Sequence, residues 1–430
     1  VLLLQAGLPP CCTATPGPKM AASLPVSPLA LPLPALTTVS GVRLGAVAAG
    51  IRYTGRTDLV MAEFCEGTSI AGVFTKSRCP GAPIDWCRQN LPGGKIRALV
   101  VNAGNANVFT GKAGYETCRL TAVEAAHLVG CKPEEVFLAS TGVIGQILPT
   151  ERITNALPDL SHALKEDAWE QAARGIMTTD TFPKASVRKT TIAGTPVVIQ
   201  GIAKGSGMIA PDMATMLSFI ATDAKIPAPV LQTILSACTV DSFNAITVDS
   251  DTSTSDAVLL FATGAANNVH IDDSADPVLS DFISALKAVM LDLALMVVRD
   301  GEGATKQIEI IVRGATSDES ARVIARAIAD SPLVKTAIAG EDANWGRVVM
   351  AVGKSGEPAD RDRLAVAIGG TTIASEGTVV EGYDETPVIA HMKGTEILIE
   401  VDIGLGKGES RLWTCDLTHG YIDINGSYRS

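Results

Sequence analysis

The stretch KGSGMIAPDMATMLSFIATDA, Lys204 to Ala224, lies close to the middle of a 430-residue chain, and its character changes twice along its length. Lys204 opens a Gly-Ser-Gly turn, and Pro211 with Asp212 interrupts any regular element. From Leu217 the run LSFIATDA is apolar throughout and reads as a buried strand. Thr215 stands alone at the mouth of that strand. An Ala-Thr pair by itself does no more than start a strand, so the meaning of Thr215 depends on what surrounds it.

Outward from this stretch, the composition bounds the fold and excludes several classes of function. A chain of this length exceeds the usual single core, so two lobes or one large layered structure are expected. The hydrophobic share is 47% with only 4% aromatic residues, which suits small-residue packing of helices on sheets in an α/β or α+β protein. The formal net charge is −11 and the pI about 5.0, so the basic footprint of a nucleic-acid binder is absent. The most apolar segment, Leu286 to Val298, is short and contains Lys287 and Asp292; it reads as a core helix, and no membrane partner is expected. Nine scattered cysteines without a CxxC pair argue against a disulfide framework and against a cysteine zinc site. The five histidines form no metal or triad pattern. Asp249-Ser250-Asp251 opens like a calcium loop, but the sixth position is Thr254 and the twelfth Leu260, where Gly and Glu are required. No metal is expected.

From Gly45 to Ser77, apolar runs alternate with Gly and Thr-Asp turns in a strand-and-hairpin pattern. Ile96 to Gly111 is a buried strand emptying into a Gly/Asn-rich loop. A helix follows over Tyr115 to Val129, then a strand over Val136 to Ala139 that ends in STGVIG, Ser140 to Gly145. Trp169 to Met177 reads as a helix, and strands Ser186 to Ile192 and Pro196 to Ala203 deliver Lys204. Beyond the central strand come a helix over Pro227 to Val240 and the longest one, Pro277 to Val298, begun by its proline. Thr316 to Glu319 fits a capping box for a helix to Ala329. Gly340 to Gly353 reads as a loop and a strand, and strands are expected over Glu396 to Gly404, Arg411 to Asp416 and Tyr421 to Ile424.

Several of these segments resemble one family in the same order. KGSGMIAP closed by ATML is similar to the self-cleavage signature of the ornithine acetyltransferases, also called glutamate N-acetyltransferases, and the string NAGNAN, Asn102 to Asn107, resembles a second signature. The resemblance covers roughly residues 36 to 430. It implies a layered sandwich of mixed sheets and helices, like that of the related self-processing aminopeptidases. It also implies cleavage between Ala214 and Thr215, which makes Thr215 an N-terminal nucleophile with its own α-amino group as base. Thr141 and Gly142 match the family's oxyanion-hole pair, although a strand-end turn also serves as a helix cap. Thr178 aligns with a substrate-contacting threonine, to within one position because three threonines lie within four residues. Lys204, Glu302, Asn425 and Ser430 match further substrate contacts; the family more often has Thr at the last position.

The implied reaction moves an acetyl group from N-acetylornithine to glutamate through acetyl-Thr215, with no cofactor and with acetyl-CoA as an additional donor in some members. The expected products of cleavage are residues 1–214 and 215–430, assembled as two copies of each. The alternatives are a self-processed aminopeptidase or amidohydrolase, and a nucleotide-binding module. GKAG and KGSG fit neither GxxxxGK[ST] nor GxGxxG, which weighs against the module. No acid precedes Asp58, and the stretch before it is rich in Ser, Thr, Ala and Pro; residues 1–35 are therefore expected to be a transit peptide for a chloroplast or, alternatively, a mitochondrion, with Met20 as a candidate start.

Overall fold

The computed structural model describes residues 25–52, 54–210 and 216–426. Ala214, Thr215 and Ser430 lie outside them, as do Pro211, Asp212 and the first 24 residues. The first part of the described chain runs β1 (Val42–Val47), β2 (Leu59–Phe64), β3 (Ser69–Phe74), α1 (Ala82–Asn90), β4 (Ala98–Asn105), α2 (Gly111–Val129), β5 (Val136–Val143), α3 (Thr150–His162), α4 (Trp169–Gly175), β6 (Lys184–Ile192) and β7 (Thr195–Lys204). After residues 211–215 come β8 (Leu217–Thr222), α5 (Ala228–Val240), β9 (Ala257–Ala262), α6 (Ser280–Arg299), β10 (Gln307–Ala315), α7 (Asp318–Ala329), α8 (Pro332–Ala339) and α9 (Trp345–Lys354). The chain closes with β11 (Ala365–Ile368), β12 (Thr371–Ser375), β13 (Thr378–Val379), α10 (Thr386–Met392), β14 (Glu396–Asp402), β15 (Gly408–Cys415) and α11 (His419–Asn425).

The strands form three sheets, ordered β1-β2-β4-β5, β3-β9-β8-β7-β6 and β13-β12-β11-β14-β10-β15. The first two lie face to face. Every residue of β8 and of β9 is buried, and the period of two divides them cleanly. Leu217, Phe219, Ala221, Leu259 and Phe261 join the core shared with the first sheet, whereas Ile220, Val258 and Leu260 join the core under α5 and α6. The Phe64 and Phe261 rings, 4.5 Å apart at their centroids, mark the seam. Helices α1, α2 and α3 cover the outer face of the first sheet and α5 and α6 that of the second, giving the expected layered sandwich. The third sheet has its own core with α7, α9 and α10. Central strands this apolar need cover on both faces, and the parallel β8/β9 and β4/β5 pairs need the crossovers that α5 and α2 supply.

The structure departs from the sequence reading at several elements. Gly340 to Gly353 contains helix α9, not a strand: Val348, Ala351 and Val352 are its buried residues, a spacing of three and four that the β-branched composition obscured. Tyr421 to Ile424 lies within helix α11, whose cap Thr418 accepts a hydrogen bond from the Gly420 N–H. The α7 cap is Ser317, one residue beyond Thr316, accepting from Ser320 N at 3.1 Å. β2 and β3 are not a hairpin but enter different sheets. The chain is also packed well before Gly45, because Val39 is fully buried and Thr37 exchanges two hydrogen bonds with the Gln200 side chain. Ser27 donates through its N–H to Thr181 Oγ1 and through its hydroxyl to Arg299 O. Residues 25–35, inside the segment read as a leader, thus already lie against the body.

Candidate functional site

Between the two sheets of the sandwich, where β5, β7 and β8 meet the loop before β9, the turn between α6 and β10 and the end of α11, lies a cavity of about 440 Å³. Thr141, Gly142, Thr178, Lys204, Glu302 and Asn425 all line it, as do Met216 and Leu217. The structure therefore brings together every site residue named from the sequence that falls within the described segments. The first described residues after Thr215 form part of the same wall.

The last residues of β5 explain why Gly142 is glycine. β5 pairs in parallel with β4, and the register slips at Asn105, directly beside the Gly104–Gly142 pair. Gly142 has φ +131°, and a Cβ there would sit 2.3 Å from the Gly104 carbonyl carbon. Only glycine allows this approach. Thr141, one residue earlier, is buried and accepts a hydrogen bond from Lys204 Nζ at 3.1 Å. An ammonium cannot accept, so the direction is fixed and the Thr141 hydroxyl keeps its own proton to give. The turn expected after the strand is in fact the strand's own irregular end.

Opposite this pair, Glu302 sits in the turn between α6 and β10. Its carboxylate accepts from Asn425 Nδ2 at 2.6 Å, and its backbone N–H donates to Ser206 O at 2.9 Å. A Cβ on Gly207 would meet the Glu302 carboxylate at 2.4 Å, so the glycine of the Lys204 turn makes room for it. Asn425 arrives on α11, whose cap Thr418 also donates to Gly303 O at 2.6 Å. Asp249, rejected above as a calcium ligand, ties these parts to one another. Its carboxylate accepts from Met208 N and Ile209 N at 2.6 and 2.8 Å and from Tyr421 Oη at 3.2 Å.

Behind the cavity wall, Lys184 is fully buried and its ammonium bridges Asp180 Oδ1 at 2.7 Å and Asp300 Oδ2 at 2.6 Å. An unpaired ion at such depth would cost several kcal/mol. The pairing offsets that cost, and backbone donors fill the remaining positions. Asp180 accepts from Thr178 N at 2.9 Å and Gly205 N at 2.6 Å, and Asp300 from Thr181 N at 2.9 Å.

Burial pushes the Lys204 ammonium below the ordinary lysine range, against the pull of Asp180, Asp256 and Glu302. Burial likewise raises the Glu302 carboxyl, while the Asn425 and Thr179 hydrogen bonds hold it down. For Asp180 burial also acts upward, but the Lys184 and Lys204 ammonium groups outweigh it and the carboxyl is lowered.

Thr179, within the one-position range given for Thr178, also lines the cavity and bonds Ser206 Oγ at 2.7 Å. Sequence reasoning missed the run Ser253 to Asp256 before β9, which forms another part of the lining. The hydroxyl-rich string DTSTSD at a strand entrance was the available signal. Among the described residues no group of His, Cys, Asp or Glu could hold a metal ion, and no helix is long and apolar enough to cross a membrane.

A hydroxyl held as a donor, sharing one cavity with an ammonium and a carboxylate, meets the needs of enzymes that move an acyl group between small charged molecules. The chain belongs to the ArgJ family, whose model matches residues 43–430. The arginine biosynthesis bifunctional protein ArgJ of Gluconobacter oxydans is 67% identical over 96% of this chain and 97% of its own. A match of that extent must reach into residues 1–35, and this bacterial relative gives no support to the organelle address read from them. Among solved structures, ArgJ of Bacillus halodurans is 43% identical, covers 50% of this chain and 100% of its own, and has a TM-score of 0.48. The ornithine acetyltransferase of Mycobacterium tuberculosis, solved in complex with ornithine, is 30% identical over 41% of this chain and 93% of its own, with a TM-score of 0.36.

Proposed function

We propose that the chain is an arginine-biosynthetic acetyltransferase that moves the acetyl group of N-acetylornithine to glutamate, using Thr215 as nucleophile after cleavage of its own chain. The observation that carries the reading is the meeting of separate sequence motifs, Thr141-Gly142, Thr178, Lys204, Glu302 and Asn425, in one cavity whose wall continues through Met216 and Leu217.

In the first step the Thr215 hydroxyl attacks the Ala214 carbonyl, the acyl group shifts from nitrogen to oxygen, and water hydrolyses the ester to leave a free Thr215 amine. That amine then accepts the hydroxyl proton as the oxygen attacks the acetyl carbonyl of N-acetylornithine. Thr141, its hydroxyl already turned to donate, and the Gly142 N–H stabilise the oxyanion. Ornithine departs with the returned proton, leaving acetyl-Thr215, and the amine of glutamate takes the acetyl group to give N-acetylglutamate. Lys204 anchors a substrate carboxylate and Glu302 the side-chain ammonium of ornithine, with Thr178, Asn425 and Ser430 completing the contacts. No cofactor enters the cycle, and acetyl-CoA is an alternative donor to the same threonine. The two fragments assemble as two copies of each. The plastid or mitochondrial address rests on the composition of residues 1–35 alone, and a fusion of those residues to a fluorescent reporter tests it.

The deciding experiment is intact mass spectrometry after incubation with N-acetylornithine alone. The expected result is a 215–430 fragment carrying one acetyl group on Thr215, and an uncut, unacetylated chain for Thr215→Ala. A Thr215→Ala variant that still splits, or a wild-type fragment that never gains the acetyl mass, would refute the proposal.

A further inference from the structure

Three walls of the cavity come from distant parts of the chain: Thr178 precedes β6, Lys204 ends β7 and Glu302 follows α6. Each is joined to the same buried ion group. Asp180 accepts from the N–H of Thr178 and of Gly205, the residue after Lys204. Asp300 stands two residues before Glu302 and accepts from both the N–H and the hydroxyl of Thr181. Lys184 alone connects the two carboxylates, with its third donor on Phe182 O at 3.4 Å. One ammonium between two carboxylates leaves one negative charge unbalanced, and it lies beside Lys204.

We infer that Lys184 is the positioning residue of the site: through Asp180 and Asp300 it fixes Thr178, Lys204 and Glu302 relative to one another, and so sets the direction in which Lys204 reaches Thr141. Lys184 does not line the cavity. Its effect is transmitted through Asp180, the group nearest in influence to Lys204. Among the described residues, the charged groups that act most on Lys204 are Asp180 and Lys184 from behind, Asp256 from the loop before β9, and Glu302 from the turn after α6. Asp180 favours the charged form of Lys204 and Lys184 opposes it, so removing the two must act in opposite directions. Damage to packing alone has no such sign. The inference depends on the proposed acetyl transfer only in naming what the positioned groups do.

The test is the pH dependence of Lys204 labelling by a small amine-reactive reagent, read by peptide mass spectrometry on the full-length protein, with acetyl transfer by the wild type assayed in parallel. Asp180→Asn should move the half-labelling pH of Lys204 down by about one unit or more, and Lys184→Met should move it up. If Lys184→Met does not accumulate in folded form, Asp180→Asn against Asp300→Asn decides. Both remove one carboxylate of the same buried group, and the shift in Lys204 should be larger for the first, whose carboxylate also accepts from Gly205 N beside Lys204. Shifts in the same direction for Asp180→Asn and Lys184→Met, equal shifts for the two Asn variants, or no shift in Asp180→Asn would overturn the inference. A wild type that labels as expected but transfers no acetyl group would instead refute the proposed function and leave the positioning role standing.

Discussion

Thr141 shows how much one hydrogen bond decides. Because Lys204 can only donate, the Thr141 hydroxyl accepts from it at 3.1 Å and retains a proton for a developing oxyanion. Thr141→Ala should therefore lower kcat by about 10²–10³ while leaving KM nearly unchanged; a rise in KM with intact kcat would mean that Thr141 serves ground-state binding. Glu302 is the second case. Burial raises its carboxyl above the unfolded value of about 4.3, so the folded chain holds this proton after the unfolded chain has released it. The associated stability is complete below about pH 4.3 and is lost as pH rises through the folded value. Glu302→Gln cannot titrate, so relative to wild type its Tm should be higher at pH 7 than at pH 4. In kinetics it should weaken N-acetylornithine more than glutamate. A Tm difference that does not change with pH, or equal kinetic losses for both substrates, would contradict this account. At this scale the sequence was most readable where chemistry demands a residue type at a fixed place, as at Gly142 and Lys204. It was least readable where partners are distant: Lys184 and Asp300 are 116 positions apart, and no local pattern marks either as half of an ion pair.

Helix α11 carries Asn425 to the cavity, yet Tyr-Ile-Asp-Ile reads as readily as a strand. Four residues of alternation are also one turn of helix. What settles the matter is Thr418, which accepts from Gly420 N at 3.1 Å and donates to Gly303 O at 2.6 Å, capping the helix and pinning it to the Glu302 turn together. Long periodic elements such as α2 and α6 were legible to within a few residues, because many buried positions repeat the same spacing. Short ones such as α9 and α11 depend on caps and on the surface they meet. Thr418→Val should remove the cap at a cost of about 1 kcal/mol, loosening Asn425 and raising KM for N-acetylornithine roughly fivefold with little change in kcat. An unchanged KM, measured alongside an unchanged Tm, would show that α11 is held by other contacts.

Across the whole molecule, the sheet order β3-β9-β8-β7-β6 interleaves the two proposed fragments. β8 and β9 belong to residues 215–430, and they lie between β3 and β7 of residues 1–214. β8 pairs with β7 from Leu217–Lys204 to Thr222–Ile199, and β9 pairs with β3 from Ala257–Phe74 to Ala262–Ser69. All twelve residues of β8 and β9 are buried. Separating the fragments would therefore expose the middle of a sheet, with unpaired backbone groups along both of its new edges. Cleavage at Ala214–Thr215 should leave the fragments inseparable by native size-exclusion chromatography and free to part only in denaturant. It should also change how stability depends on concentration, since each protomer then unfolds to two chains rather than one. The Tm of the cleaved protein should rise more steeply with protein concentration than that of the uncut Thr215→Ala variant. Fragments that elute apart under native conditions, or identical concentration dependence in a wild type shown to be cleaved, would mean that the two halves do not share this sheet.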